Sequence, residues 1–219
     1  MTARYAVYFV PRPETPLGAF GTRWLECHEG LADRALQRRV TAKPRRYGFH
    51  ATLKAPFRLA EHRSPDLLSK AIAAFAETRP APSPLPLTLR PISGFLALVP
   101  AEAAPEIEGL AQACVEAFEP FRAPLSEAEL ARRRAGGLSP RQDALLRRWG
   151  YPYVEEEFRF HMTLTDRLTE EERQQVEPPL AAALAPLLER PLEIDALALV
   201  CQDAPDLDFM LLKRFPLLP

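Results

Sequence analysis

The chain has 219 residues, 47% hydrophobic and 26% charged, with a formal net charge of -1 at pH 7. That balance excludes an intrinsically disordered chain and leaves no global basic field for holding long nucleic acid, so any anion site must be local. The length suffices for one sizeable core, as a single domain or as two small lobes sharing an interface. In chain order, "RYAVYFVP" reads as a strand over 4–10, rich in aromatic and β-branched residues. Its apolar run is bounded by Pro11 and Pro13 and is too short for a signal peptide or a membrane span, which points to a cytoplasmic protein. Residues 15–40 read as a loop with short helical pieces, and "YGFHATLK" at 47–54 as a strand. Ser64 as N-cap and Pro65 at the first helical position open a helix that Pro80 stops. "PLTLRPISGFLALVP" predicts two strands joined near Ser93 and Gly94, and "AAPEIEGLAQACVEAFEPF" an amphipathic helix. Residues 122–150 read as two short helices broken at Gly136 and Gly137.

The second half then repeats the first. "EEFRFHMTLTDRL" is followed by a helix capped by Thr169 and by the strands "LEIDALALVCQD" and "DFMLLKRFPL". A strand with histidine, a helix and two strands thus occur twice, which predicts an α+β fold built as a bilobal duplicated unit. The expected architecture is two antiparallel-type sheets with helices outside and a central cleft. Its first motif lobe spans about 45–120, the connector about 121–150 and the second motif lobe about 151–219, with the strand at 4–10 joining the sheets. Cys27, Cys114 and Cys201 are odd in number and lack metal-type spacing, so they read as small buried hydrophobes in a reducing compartment.

The chemistry lies in the repeated motif. Side chains alternate along a strand, so His50, Thr52 and Lys54 share one face while Phe49, Ala51 and Leu53 share the other. In the second copy Arg159, His161, Thr163 and Thr165 share the polar face. A histidine two before a threonine reads, in one copy, as a polar face wetted by water. A duplication has no packing reason to keep a matched His and Thr twice, which turns the pair into a candidate site. One imidazole can take a proton from a nucleophile while the other delivers one to a leaving oxygen, and the threonine hydroxyls can donate to phosphate oxygens. An approximate twofold would hold the two imidazoles about 5 to 9 Å apart, room for one phosphate between hydrogen-bonding partners. His28 and His62 sit in polar, turn-like contexts and read as surface residues. Tyr47 would stack on a base or ring only if the strand begins after it.

"FHATL" and "FHMTL", half a chain apart and each followed by a helix and two strands, resemble the paired His-x-Thr motifs of the two-histidine (2H) phosphoesterase superfamily. The resemblance spans the whole chain, and "RRYGFHATLKAPFRL" with "FRFHMTLTDRL" is most similar to a bacterial branch associated with phosphonate-metabolism genes. It implies a metal-independent hydrolase, a phosphodiesterase or cyclic phosphodiesterase without cofactor or metal, acting on a cyclic phosphate or small phosphodiester. His50 and His161 would be the catalytic acid-base pair and Thr52 and Thr163 the substrate-binding hydroxyls. Strand alternation alone adds Lys54 and Arg159 as partners for phosphate charge. The expected partner is a small phosphorylated substrate, with long nucleic acid and membranes excluded and the chain a monomer. The alternatives are a non-catalytic nucleotide or phosphometabolite sensor and an RNA-end-processing cyclic phosphodiesterase. From Arg34 to Arg58 eight cations occur without an acid, which predicts a positive potential around the first motif. The arginines of 122–148 read as a solvated helix face.

Overall fold

The computed structural model describes residues 3–219. Its strands are β1 (Arg4–Phe9), β2 (Ala51–Phe57), β3 (Leu87–Ile92), β4 (Phe95–Pro100), β5 (Met162–Thr163), β6 (Ala196–Gln202) and β7 (Met210–Pro216). They form one seven-stranded antiparallel sheet in the order β3-β4-β5-β2-β1-β6-β7. The α+β class stands, but a single continuous sheet replaces the two that the repeat suggested. The reason is β5: though only two residues long, it pairs with β2 on one side and β4 on the other. The β3–β4 hairpin turns at Ser93 and Gly94, both with positive φ, as a two-residue turn matched to strand twist requires.

Among the described residues, eight α-helices accompany the sheet. Those that carry the core are α1 (Pro16–Leu25), α4 (Pro65–Ala76), α5 (Pro105–Ala117) and α8 (Glu170–Leu184); the others are α2 (Arg34–Val40), α3 (Ala42–Arg45), α6 (Glu127–Arg134) and α7 (Pro140–Trp149). Ser64 and Thr169 cap α4 and α8 by accepting from backbone N–H groups, as their sequence positions predict. Where a loop with helical pieces was expected over 15–40, α1 and α2 are ordered helices. Thr15 and Asp33 cap them, and buried Phe20, Trp24 and Val40 hold them.

Helix side chains such as Trp24, Ile72, Ile107 and Leu180 share one core cluster with Val7, Phe9, Leu53, Leu98, Met162 and Leu199 of the strands. This covers one face of the sheet. The opposite face near its centre carries only a small cluster of Ala6, Tyr8 and Val200 with Val10 and Phe209 beside it. Burial of the first face drives folding. Cys114 and Cys201 are buried, whereas Cys27 is only partly so, because Arg45 reaches its sulfur and the Thr41 hydroxyl. Among the described residues, no helix is long and apolar enough to cross a membrane.

Candidate functional site

Ala51 of β2 pairs with Met162 of β5. Antiparallel register then sets His50 directly across from Thr163, and Thr52 across from His161. Ala51 and Met162 point into the core, so the two histidines and two threonines form a quartet on the open face. Direct cross-strand neighbours lie about 4.5–5.5 Å apart and diagonal ones, the two histidines, about 7–8 Å. They stand side by side on one sheet rather than facing each other from separate lobes.

The two copies hold their rings alike. His50 Nδ1 lies 2.8 Å from the Gly48 carbonyl and His161 Nδ1 lies 2.7 Å from the Arg159 carbonyl, in each case the residue two before. A carbonyl only accepts, so each Nδ1 carries a proton, which makes Nε2 the acceptor whenever the ring is neutral. The Thr52 hydroxyl, 3.3 Å away, can donate to His50 Nε2. Gly48 bends the chain with φ +71, a conformation glycine adopts without strain. Tyr47 lies before that bend, outside β2, which begins at Ala51, and its ring stacks on His50 at 6.2 Å.

Tyr8 of β1, paired with Thr52, also lays its ring on His50, at 3.9 Å and 23°. Desolvation between these rings pushes the His50 pKa down to about 4; the Gly48 hydrogen bond opposes the shift and the His161 charge adds to it. His50 is therefore neutral at pH 7. Phe95 flanks His161 at 5.9 Å, and Phe209 stacks on Tyr47 at 5.2 Å. Gly21 of α1 sits so close to Phe49 that a Cβ there would fall 2.0 Å from the ring. Trp24 Nε1 donates to the Leu164 carbonyl at 2.8 Å. One helix thus positions both motif strands.

Three sequence expectations need correction. Lys54 pairs with Val7 while Thr52 pairs with Tyr8, a register shift that breaks alternation and turns Lys54 away from the quartet. Its buried Nζ donates to the Val115 carbonyl at 2.8 Å and to Glu119 at 3.0 Å. Arg159 precedes β5, is exposed, and donates to the Glu156 and Phe158 carbonyls instead of joining His161. Thr165 is buried and accepts from the Leu96 N–H, a structural bond rather than a site hydroxyl. Four of the eight cations in the acid-free stretch are paired across the fold: Arg39 meets Glu172, Arg46 Asp208, Lys54 Glu119 and Arg58 Glu129. Charge that is local in sequence is not local in space. His28 and His62 are exposed, as read. Tyr8, Gly21 and Gly48 escaped sequence reading, although a glycine just before "FH" was a visible sign of a turn. Among the described residues, no group of three or more His, Cys, Asp or Glu is placed to hold a metal ion.

Comparison with known proteins adds a family and two relatives. The family model described as "Protein of unknown function (DUF1045)" matches residues 52–210. A protein of Janthinobacterium sp. (strain Marseille) named ribose 1,5-bisphosphate phosphokinase PhnN is 43% identical over 231 residues, covering 97% of this chain and 50% of that protein. A protein of the same name from Laribacter hongkongensis (strain HLHK9) is 38% identical over 181 residues, covering 76% of this chain and 41% of that one. The chain spans half or less of the length of these curated relatives. Both names denote phosphoryl transfer, and they overturn the expected hydrolase or phosphodiesterase activity along with its sensor and RNA-end-processing alternatives.

Proposed function

The chain belongs to the DUF1045 family, and we propose that it serves the acceptor side of a phosphoryl transfer on a phosphorylated ribose, the chemistry its relatives' names carry. The carrying observation is the cross-strand quartet, with both Nδ1 atoms held to backbone carbonyls and each Nε2 left as the acceptor, that of His50 within 3.3 Å of the Thr52 hydroxyl. The Thr52 and Thr163 hydroxyls donate to phosphate oxygens of the sugar. The acceptor hydroxyl gives its proton to His50 Nε2 while its oxygen forms the new O–P bond. The donor's phosphoanhydride P–O bond breaks, and its electron pair leaves with the donor. A pKa of about 4 makes His50 a weak base in the free protein, but a bound phosphate beside the ring favours the imidazolium and raises it toward neutrality. His161 holds its Nε2 against the same phosphate.

The finer kinship with the two-histidine superfamily is part of this proposal and rests on the paired His-x-Thr strands, without the hydrolytic outcome. The relatives' names also support the phosphonate-associated branch. Phosphorus-31 NMR of the protein with ribose 1,5-bisphosphate and a nucleoside triphosphate tests the reading. A new ribose-bound phosphoryl group should form, at a rate lowered about a hundredfold or more in His50→Ala. Calorimetry should show weaker ribose 1,5-bisphosphate binding in the Thr52→Ala/Thr163→Ala double variant; equal affinity would reject the quartet as the sugar-phosphate site.

A further inference from the structure

We propose that Arg4, Arg132, Arg133 and Tyr151 form a second phosphate subsite, which takes the distal phosphoryl group of a ribose phosphorylated at both ends while the quartet holds the other. The ligand rests on the phosphorylated-ribose reading above; the cationic cluster stands on its own geometry. A small cavity of about 30 Å³ lies where the end of β2, α6, α7 and the segment around Tyr151 meet.

Six cations line this cavity, Arg4, Lys54, Arg58, Arg122, Arg132 and Arg133, against the single carboxylate of Glu129. Lys54 and Arg122 share the single carboxylate of Glu119, and Arg58 pairs with Glu129. Arg4, Arg132 and Arg133 have no carboxylate partner among the described residues. Arg4 donates to the neutral Gln202 amide at 2.9 Å and lies over the Phe209 ring at 5.6 Å. The half-buried Arg133 lies over Tyr151 at 5.7 Å. Burial and the charges of Arg132 and Arg4 all work against its protonation, with Tyr151 and Glu129 opposing. Partly desolvated cations gathered without an anion are costly, and a phosphate would relieve that cost. The helix dipole supplies a plainer reason for arginines in the last turn of α6. It accounts for Arg134, which pairs with Asp143, but not for the convergence of Arg4 from a distant strand.

One strand links the cluster to the quartet: Arg4, Ala6 and Tyr8 alternate onto the face of β1 opposite the main core, where Ala6 and Tyr8 are buried, and Tyr8 is the ring stacked on His50. Four residues of strand separate the Arg4 and Tyr8 Cα atoms by about 13 Å. The Arg4 side chain and the Phe209 ring, 6.1 Å from Tyr8, occupy part of that interval. In the proposal, a sugar with a phosphate at each end spans that interval.

Two measurements test this. In nitrogen-15 NMR of the arginine Nε–Hε groups, inorganic phosphate should shift Arg4 and Arg133 saturably and leave Arg173, paired with Glu170 and Glu177 on α8, unmoved. Absence of shifts at Arg4 and Arg133 would overturn the subsite. In calorimetry, the protein should prefer ribose 1,5-bisphosphate over ribose 5-phosphate by about tenfold or more. The Arg132→Met/Arg133→Met variant should bring that ratio near one, and Arg173→Met should leave it unchanged. A ratio that survives the double change overturns the proposal, with thermal unfolding of each variant confirming that it is folded. If phosphate shifts the arginines but no ribose phosphate binds, the subsite stands while its ligand, and the phosphorylated-ribose reading with it, fall.

Discussion

Replacing Tyr8 by leucine removes the ring stacked 3.9 Å from His50 and lets water reach the imidazole. Burial is the largest cause of the fall in the His50 pKa from 6.5 to about 4, a difference equivalent to about 3 kcal/mol at about 1.4 kcal/mol per unit. Because the folded value lies below the unfolded one, the unfolded chain binds the extra proton between pH 6.5 and 4. Stability therefore rises with pH through that window, is complete above 6.5, and is lost as pH falls toward 4. Histidine Cε1–H titration by NMR should give a wild-type midpoint near 4 and a Tyr8→Leu midpoint at least one unit higher. Urea unfolding should show the wild type losing most of that 3 kcal/mol between pH 7 and 4.5, beyond the loss seen in His50→Gln. A wild-type midpoint at or above 6 would refute the reasoning, because the aromatic cage would then not be excluding water from the ring.

Other expectations follow from single contacts. Thr163→Ala should weaken ribose 5-phosphate binding roughly tenfold to a hundredfold, since one hydrogen bond to a charged oxygen contributes about 1.5–3 kcal/mol; calorimetry showing unchanged affinity would remove Thr163 from the site. Gly21→Ala places a Cβ 2.0 Å from the Phe49 ring and should cost about 1–3 kcal/mol. At about 2–4 °C per kcal/mol, that is a melting temperature lower by about 2–12 °C, partly restored by Phe49→Leu. Lys54→Met deprives the Val115 carbonyl of its donor and should lower stability by about 1–3 kcal/mol while ribose 5-phosphate affinity stays within about twofold. A larger loss of affinity would return Lys54 to the phosphate site.

Local rules made much of this protein legible before its fold was known. Ser64 and Thr169 cap their helices through bonds to backbone three residues on, and Ser93-Gly94 turns its hairpin, because both devices depend on neighbours in the chain. Period-two alternation likewise put His50 with Thr52 and His161 with Thr163. Alternation failed at Lys54, where a bulge against β1 reverses the face, and at Arg159, which lies before a strand of only two residues. Neither a bulge nor a strand end is written in hydrophobic pattern.

The remaining facts belong to long-range pairing. Which strands would be neighbours, and hence that both motifs share one sheet rather than two, depends on β5 fitting between β2 and β4. The stacking of Tyr8 on His50 links residues 42 positions apart. The acid-free basic stretch looked like the anion site, yet distant carboxylates pair with half of its cations, while Arg4 and Arg133, 129 positions apart, line one cavity. Caps and alternation are set within a few residues by covalent geometry and local hydrogen bonds. Electrostatic and aromatic contacts act through space, so their partners are chosen only when burying the apolar face brings distant segments together.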